Sequence, residues 1–291
     1  MDLSKKQSLV FLHLIILIWG FTGILGKLID MSSTHIVLNR MAISFICLLV
    51  INKLFFKQLL ISKKNLITYS LIGILIAIHW ICFFEAIKES TVSLALICLS
   101  SVSLFTSIIE PIFYKRKIYV HELILSLFVI SGILIIFNYE NLYLKAIILS
   151  IISAFFAALF TVLNHNLINQ KHNSTVISSW EMFGGTIGII IYLLFSNQFN
   201  FNIIPNKIDV LYILILSVIC TAFAFSASIE IMKKISPFTV NISVNLEPIY
   251  AILLALIIFK EEEKMTTEFY IGSIIIISSI FINTLIKKYN V

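Results

Sequence analysis

The sequence predicts an all-α membrane protein of ten transmembrane helices, arranged as two inverted five-helix repeats. Three observations carry this reading. The 291 residues are 59% hydrophobic and only 12% charged, with mean hydropathy +1.04, beyond what a soluble domain tolerates. The apolar residues fall into ten stretches, most of them near the roughly 20 residues a membrane helix needs. The chain also matches itself. Phe21-Thr22-Gly23-Ile24-Leu25-Gly26-Lys27-Leu28-Ile29 has a partner in Phe160-Thr161-Val162-Leu163-Asn164-His165-Asn166-Leu167-Ile168. Glu85-Ala86-Ile87-Lys88 pairs with Glu230-Ile231-Met232-Lys233, and Thr91-Val92 with Thr239-Val240. The offset drifts from 139 to 148 residues, with the shifts placed in loops. Five crossings are an odd number, so a second copy enters the membrane from the opposite side, as in transporters built from inverted repeats.

The spans run roughly over 8–29, 35–52, 65–87, 91–113 and 121–138 in the first half, residues 1–141. Those of the second half, 142–291, are roughly 144–168, 175–196, 208–231, 237–259 and 268–286. They are expected to be helices. Amides in lipid cannot go unpaired, and the alternating pattern of barrel strands is absent. Connections are short and leave no room for a soluble catalytic or nucleic-acid module, so the net charge of +6 calls for another explanation. With the N-terminus inside, the inner ends carry 14 of the 21 Lys and Arg: Lys5, Lys6, Lys53, Lys57, Lys63, Lys64, Lys115, Arg116, Lys117, Lys171, Lys233, Lys234, Lys287 and Lys288. The positive-inside rule then places both termini in the cytoplasm, and the expected location is the cell membrane, the inner membrane of a bacterium. Lys115-Arg116-Lys117 follows the fourth span and Lys260-Glu261-Glu262-Glu263-Lys264 the ninth, an asymmetry that inversion predicts.

The first span is long, contains Lys27 and lacks a small-residue cleavage site, so no cleavable signal peptide is expected. Cys47, Cys82, Cys98 and Cys220 lie within spans without CxxC spacing, so they read as small core residues rather than disulfides or metal ligands. Asn173-Ser174-Thr175 matches a glycosylation sequon but falls on a loop assigned to the inside, and is read as chance. No HExxH, GxSxG or Walker loop occurs, so neither catalysis nor a cofactor is expected.

Polar groups at membrane depth are costly and usually face a cavity or a partner. Trp19-Gly20 sits mid-depth in the first span. Arg40 and Glu181 are equivalent positions, each about six residues or roughly 9 Å into its span, Arg40 toward the outside and Glu181 toward the inside. Each reads either as a gate or substrate contact, or as structural: Arg40 snorkelling to the interface, Glu181 hydrogen-bonded. His79-Trp80 lies in the third span, and Asn164-His165 in the inner third of the sixth, where either can face a cavity. The fourth span has Ser100-Ser101-Val102-Ser103 at its midplane, and its Glu110-Pro111 reads as an interfacial helix end. Glu247-Pro248 lies near the middle of the ninth span. Proline there withholds a backbone donor and frees a carbonyl near Val244, while Asn241, Asn245 and Pro248 form a stripe on one face. An acidic group at mid-helix costs about 2.5–3.5 kcal/mol to insert, so Glu247 is expected to carry a proton or to meet a cation or a substrate amine. The substrate-pathway candidates are Trp19, Arg40, His79, Trp80, Ser101, Asn164, Glu181, Asn245 and Glu247. Trp19, Ser101, Asn164 and Asn245 are expected among the walls of a cavity bounded by spans 1, 3, 4, 6, 8 and 9. Gly184 and Gly188, with Gly185, favour close helix approach within the bundle or between subunits.

Trp19-Gly20-Phe21 with Lys27, Arg40, Glu181-Met182-Phe183-Gly184-Gly185, Leu246-Glu247-Pro248-Ile249-Tyr250 through Phe259-Lys260-Glu261, and Gly272 together resemble the EamA-type branch of the drug/metabolite transporter superfamily. The resemblance spans nearly the whole chain. It implies ten helices, inverted halves (1–141 and 142–291, each an EamA-like repeat), a central cavity and alternating access. Small metabolites, often amino acids, are the implied substrates, and export the implied direction. The first half departs from the pattern, with Ser100-Ser101 where many members place a proline. The expected function is a secondary-active transporter, an exporter of a small polar metabolite such as an amino acid. Its partners are that solute and the bilayer, with a proton as candidate coupling ion and no nucleic acid, in a monomer or a homodimer. A channel would need repeated polar rings. A lipid-modifying enzyme would need clustered His, Asp or Glu, whereas His13, His35, His79, His121, His165 and His172 are dispersed.

Overall fold

The computed structural model describes residues 4–56, 61–139, 143–196, 203–263 and 265–289. The boundary expected between residues 141 and 142 lies outside these, as do Lys57 and Lys264. Every regular element among the described residues is a helix. Helix α1 (Lys5–Leu28) begins at a capping box in which Ser4 and Gln7 satisfy each other's backbone N–H. Ser32 caps α2 (Ser33–Ile51), which runs on into a π-helical turn, Asn52–Phe56. Ser62 caps α3 (Lys63–Glu89). Next come α4 (Val92–Leu99), α5 (Val102–Tyr114), α6 (Val120–Tyr139), α7 (Leu144–Asn169) and α8 (Ser174–Phe195). A further long stretch is α9 (Lys207–Leu214), a nine-residue π-helix (Ile215–Phe223) and α10 (Ala224–Ile231). The chain closes with α11 (Pro237–Val244), α12 (Glu247–Phe259) and α13 (Thr267–Tyr289). Asn173, the residue of the sequon, caps α8 with its side chain.

Eight helical stretches among the described residues are long and apolar enough to cross a membrane. Shorter apolar stretches, Val120–Ile136 and Thr267–Ser279, belong to α6 and α13, which pack on each other. Two of the eight are broken, and both in the same way. An eight-residue helix (α4, α11), a two-residue turn and a thirteen-residue helix (α5, α12) follow one another in each. At the breaks the bonding tightens to three-residue spacing, as in Ser101 N to Cys98 O and Leu246 N to Ser243 O. Pro248 therefore does not kink a continuous helix. It stands in the first turn of α12, where a missing N–H is tolerated.

Helix α3 lies between α7 and α8, and glycine permits the contact. A Cβ on Gly73 would strike the backbone carbonyl of Glu181, and one on Gly184 the backbone of Ser70. The glycines of α8 thus serve packing inside the bundle, which settles one of the two readings of that motif for this chain.

Candidate substrate cavity

A cavity lies between α1, α2, α3, the α4–α5 break, α7, α10 and the α11–α12 break. All but the α4–α5 break, which brings only Leu99 and Val102, bring a polar residue to the wall.

From α2 comes Arg40. It is 1% exposed, so it does not snorkel to an interface; packing against aromatic faces and the π-segment holds it inside. Its guanidinium carbon sits 3.8 Å from the ring centroid of Trp80, a cation–π arrangement. Its Nε donates to Thr221 Oγ1 at 2.7 Å, while Nη1 has no partner. Thr221 belongs to the π-helix, whose irregular winding gives side chains of α1 and α2 access to its backbone. Trp19 Nε1 donates to Cys220 O at 3.1 Å and Ser44 Oγ to Ser217 O at 2.8 Å. π-turns of this kind recur at functional sites.

From α12 comes Glu247, 6% exposed and facing the same cavity. Its carboxyl makes no hydrogen bond and no ion pair among the described residues, yet it lies within electrostatic reach of Arg40. A cation, one of the partners the sequence allowed for this acid, is thus available from a helix more than two hundred positions away.

His79 and Trp80 both line the cavity. Ser153 fixes the His79 ring, its Oγ 2.7 Å from Nδ1, and Phe160 meets the ring edge-on. Trp19 and Asn164 also stand on the wall. Asn164 Nδ2 donates to Glu181 Oε2 at 3.5 Å. Glu181 itself, fully buried with Oε1 unpartnered, stands behind Asn164 and off the wall. His165 turns the other way, to Tyr114 Oη at 2.7 Å.

Ser101 and Asn245 depart from expectation. Both are buried, but neither lines this cavity. Each stands in the turn of a broken span, where its side chain is drawn into the local bonding: Ser101 Oγ donates to Cys98 O at 2.9 Å, and Asn245 Nδ2 to Ser103 Oγ at 3.4 Å. Asn245 borders a narrow crevice, too tight to hold a water, shared with Ser100 and Glu247. The walls also include α2, through Arg40, which the expected set of spans left out.

Glu110 and Pro111 do lie near the end of α5, but Glu110 is buried rather than a bare interfacial acid. Its Oε2 accepts from Phe238 N at 2.9 Å, at the start of α11, and Oε1 lies 3.3 Å from Arg116 Nη2. Glu122 takes the same nitrogen at 3.0 Å. Burial works against the charge of Arg116, but the hydrogen bond and charge of Glu122, with the charge of Glu110, outweigh it and hold the guanidinium above its ordinary range.

The sequence model of the EamA-like transporter family matches residues 7–138 and again residues 144–285. The chain belongs to the EamA-like transporter family. An uncharacterized transporter of Archaeoglobus fulgidus is 27% identical over 140 residues, covering 47% of this chain and 46% of that protein; the chain is thus matched over about half the length of this curated relative. A protein crystal structure superposes with a TM-score of 0.74 at 12% identity, over 97% of this chain and 99% of that one, a likeness of fold alone. In this EamA-family chain, Thr161 and Asn241 are wall residues that the candidate set omitted. They touch at 3.5 Å, and Asn241 donates to Thr106 at 2.7 Å. Asn241 stood on the polar stripe ahead of Pro248, so the stripe itself was the signal. For Phe160 and Phe225 the sequence held none, because an aromatic ring in an apolar span looks the same whether it faces lipid, core or cavity.

Proposed function

We propose that the chain is a secondary-active transporter that moves a small polar metabolite, such as an amino acid, out of the cell by alternating access around the central cavity. The observation that carries this reading is a cavity within the bundle bearing Arg40 and Glu247, neither paired with the other. Ionisable residues at that depth mark solute pathways. The ten crossings comprise two inverted halves, residues 1–141 and 142–291. Two separate matches to one family and the shared eight–two–thirteen pattern of the broken spans support this. Discontinuous helices meeting near the midplane are how such carriers present backbone to a solute. Both termini lie in the cytoplasm, by the distribution of Lys and Arg. The driving force is an ion gradient, and the carboxyl of Glu247 is where a coupling proton would bind.

Counterflow of labelled metabolites into proteoliposomes tests the proposal. Saturable, exchange-stimulated uptake supports a carrier. Uptake that rises linearly with concentration and shows no counterflow would point to a channel, and a chemically altered solute to an enzyme.

A further inference from the structure

A second opening in the bundle has no part in the central cavity. This groove measures about 710 Å³ and lies between α1, the end of α2 with its π-turn, the start of α8, and α10. Phe11, Leu48, Ile51, Phe55 and Phe223 make its apolar walls. Phe55 is 76% exposed and Phe223 44%, so the groove opens on the flank of the bundle, where a spanning protein meets hydrocarbon. From Ala222 to Ile231 its floor covers nine residue steps, roughly 14 Å at about 1.5 Å per residue. Half of a hydrocarbon core of roughly 30 Å is about the same, so the groove has the depth of one leaflet.

Its polar groups gather at one end. Asn173, Ser174 and Thr175 open α8 there, and Glu230 and Lys233 stand at the end of α10. Asn173 Oδ1 takes the N–H of Thr175 and of Val176. The N–H of Ser174 is left at the positive end of a 22-residue helix, where anions bind. Ser174 lines the groove and is only 6% exposed, yet its hydroxyl makes no hydrogen bond among the described residues. A buried hydroxyl without a partner requires an account. Lys233 adds a cation. One of its donors answers the charge of Glu230, and an ammonium has three.

We infer that the groove binds one phospholipid of the adjacent leaflet, its phosphate on the N–H and hydroxyl of Ser174 and on Lys233, and an acyl chain along the floor. Apolar over the depth of a leaflet and cationic at the surface end, the groove matches such a molecule along its whole length. By the topology proposed above this is the cytoplasmic leaflet. The triplet Asn173-Ser174-Thr175 thereby gains a use unrelated to glycosylation. The bound chain lies against the back of α10, whose other side turns Phe225, Ser228, Ile229 and Met232 to the central cavity. The lipid supports a wall of the cavity without entering it.

The test is native mass spectrometry of the purified full chain, stripped of lipid in detergent and titrated with three probes. These are dioleoylphosphatidylglycerol, dioleoylglycerol (the chains without the phosphate) and glycerol 3-phosphate (the phosphate without the chains). One phospholipid is expected to bind, about tenfold or more tightly than either fragment, since each fragment forfeits either the charge-assisted contacts or the apolar ones. Ser174→Ala removes a hydroxyl with no internal bond, so it is expected to fold normally, to bind the phospholipid about tenfold more weakly and to bind dioleoylglycerol as before. Lys233→Gln is expected to act in the same direction. Ala227→Trp fills the groove and is expected to abolish binding of both lipids. Should it fail to fold, Ser174→Ala decides alone. The inference is overturned if either fragment binds as tightly as the phospholipid, if Ser174→Ala leaves phospholipid affinity unchanged, if a folded Ala227→Trp protein retains the phospholipid, or if no probe binds.

Discussion

Thr221 is the residue through which the π-segment holds Arg40, and a double-mutant cycle on that contact is a demanding check of the site. Thr221 is fully buried. Its Oγ1 accepts from Arg40 Nε at 2.7 Å and donates to Leu216 O at 2.7 Å. Valine has nearly the same shape as threonine, so Thr221→Val opens little cavity and removes chiefly the hydroxyl. Arg40 then loses the one hydrogen bond of its guanidinium while Nη1 is already without a partner. A hydrogen bond to a charged group contributes about 1.5–3 kcal/mol, whereas neutral side-chain bonds between membrane helices average about 0.6 kcal/mol. The charge and full burial here favour the upper range. We expect Thr221→Val to destabilise by about 2 kcal/mol in the unaltered protein and by less than about 1 kcal/mol when Arg40 is already Met, a coupling of roughly 1.5 kcal/mol. The assay is reversible unfolding in mixed micelles of rising SDS fraction, read by tryptophan emission and far-ultraviolet circular dichroism. Additive effects, with a coupling below about 0.5 kcal/mol, would refute the claim that Thr221 anchors the guanidinium.

Gly73→Ala should lower the unfolding free energy by about 1–3 kcal/mol, because the added methyl meets the backbone of α8 and the helices must part. Gly188→Ala, which meets only the side chain of Ile74, should cost well under half as much; equal losses in the same SDS titration would remove the close-approach argument. Single cysteines near Lys64 or Lys234 should react with an impermeant maleimide only from the cytoplasm, and one near Glu262 only from outside; the opposite pattern would remove the inverted arrangement as well. Glu247→Gln should insert normally and still exchange solute, but its net flux in proteoliposomes should no longer respond to pH; an unchanged pH profile would make Glu247 a structural group beside Pro248.

Much of this protein was legible without coordinates. Membrane residence follows from composition, because a chain so apolar cannot be held in water. The helix starts carry a signal that the span assignment did not use: Ser4, Ser32, Ser62, Thr91, Asn173, Asn206 and Ser236 cap the helices that begin after them. Glu247-Pro248 marked an interruption within its span, since a proline's missing donor and an acid's insertion cost are properties of the residues themselves. The register of that interruption was not legible. The turn is at Asn245–Leu246, with Pro248 in the first turn of the next helix, where its missing N–H costs nothing.

What only the tertiary structure decided is which polar groups share a space. Arg40 reads alike whether it snorkels or turns inward; the choice depended on Trp80 and Thr221, residues of two other elements that reach it only through helix packing. Trp19 and Asn164 reached the cavity because neighbours set the rotation of their helices, and one residue of rotation moves a side chain by about 100°; Ser101 and Asn245 did not, because the turns of the broken spans drew their side chains into local bonding. The π-segment was invisible to hydropathy, which is unchanged by one extra residue in a turn. The sequence determined the solvent, the helices and the cost of each buried polar group; the packing of distant helices decided that Arg40 and Glu247 face one cavity without closing on each other.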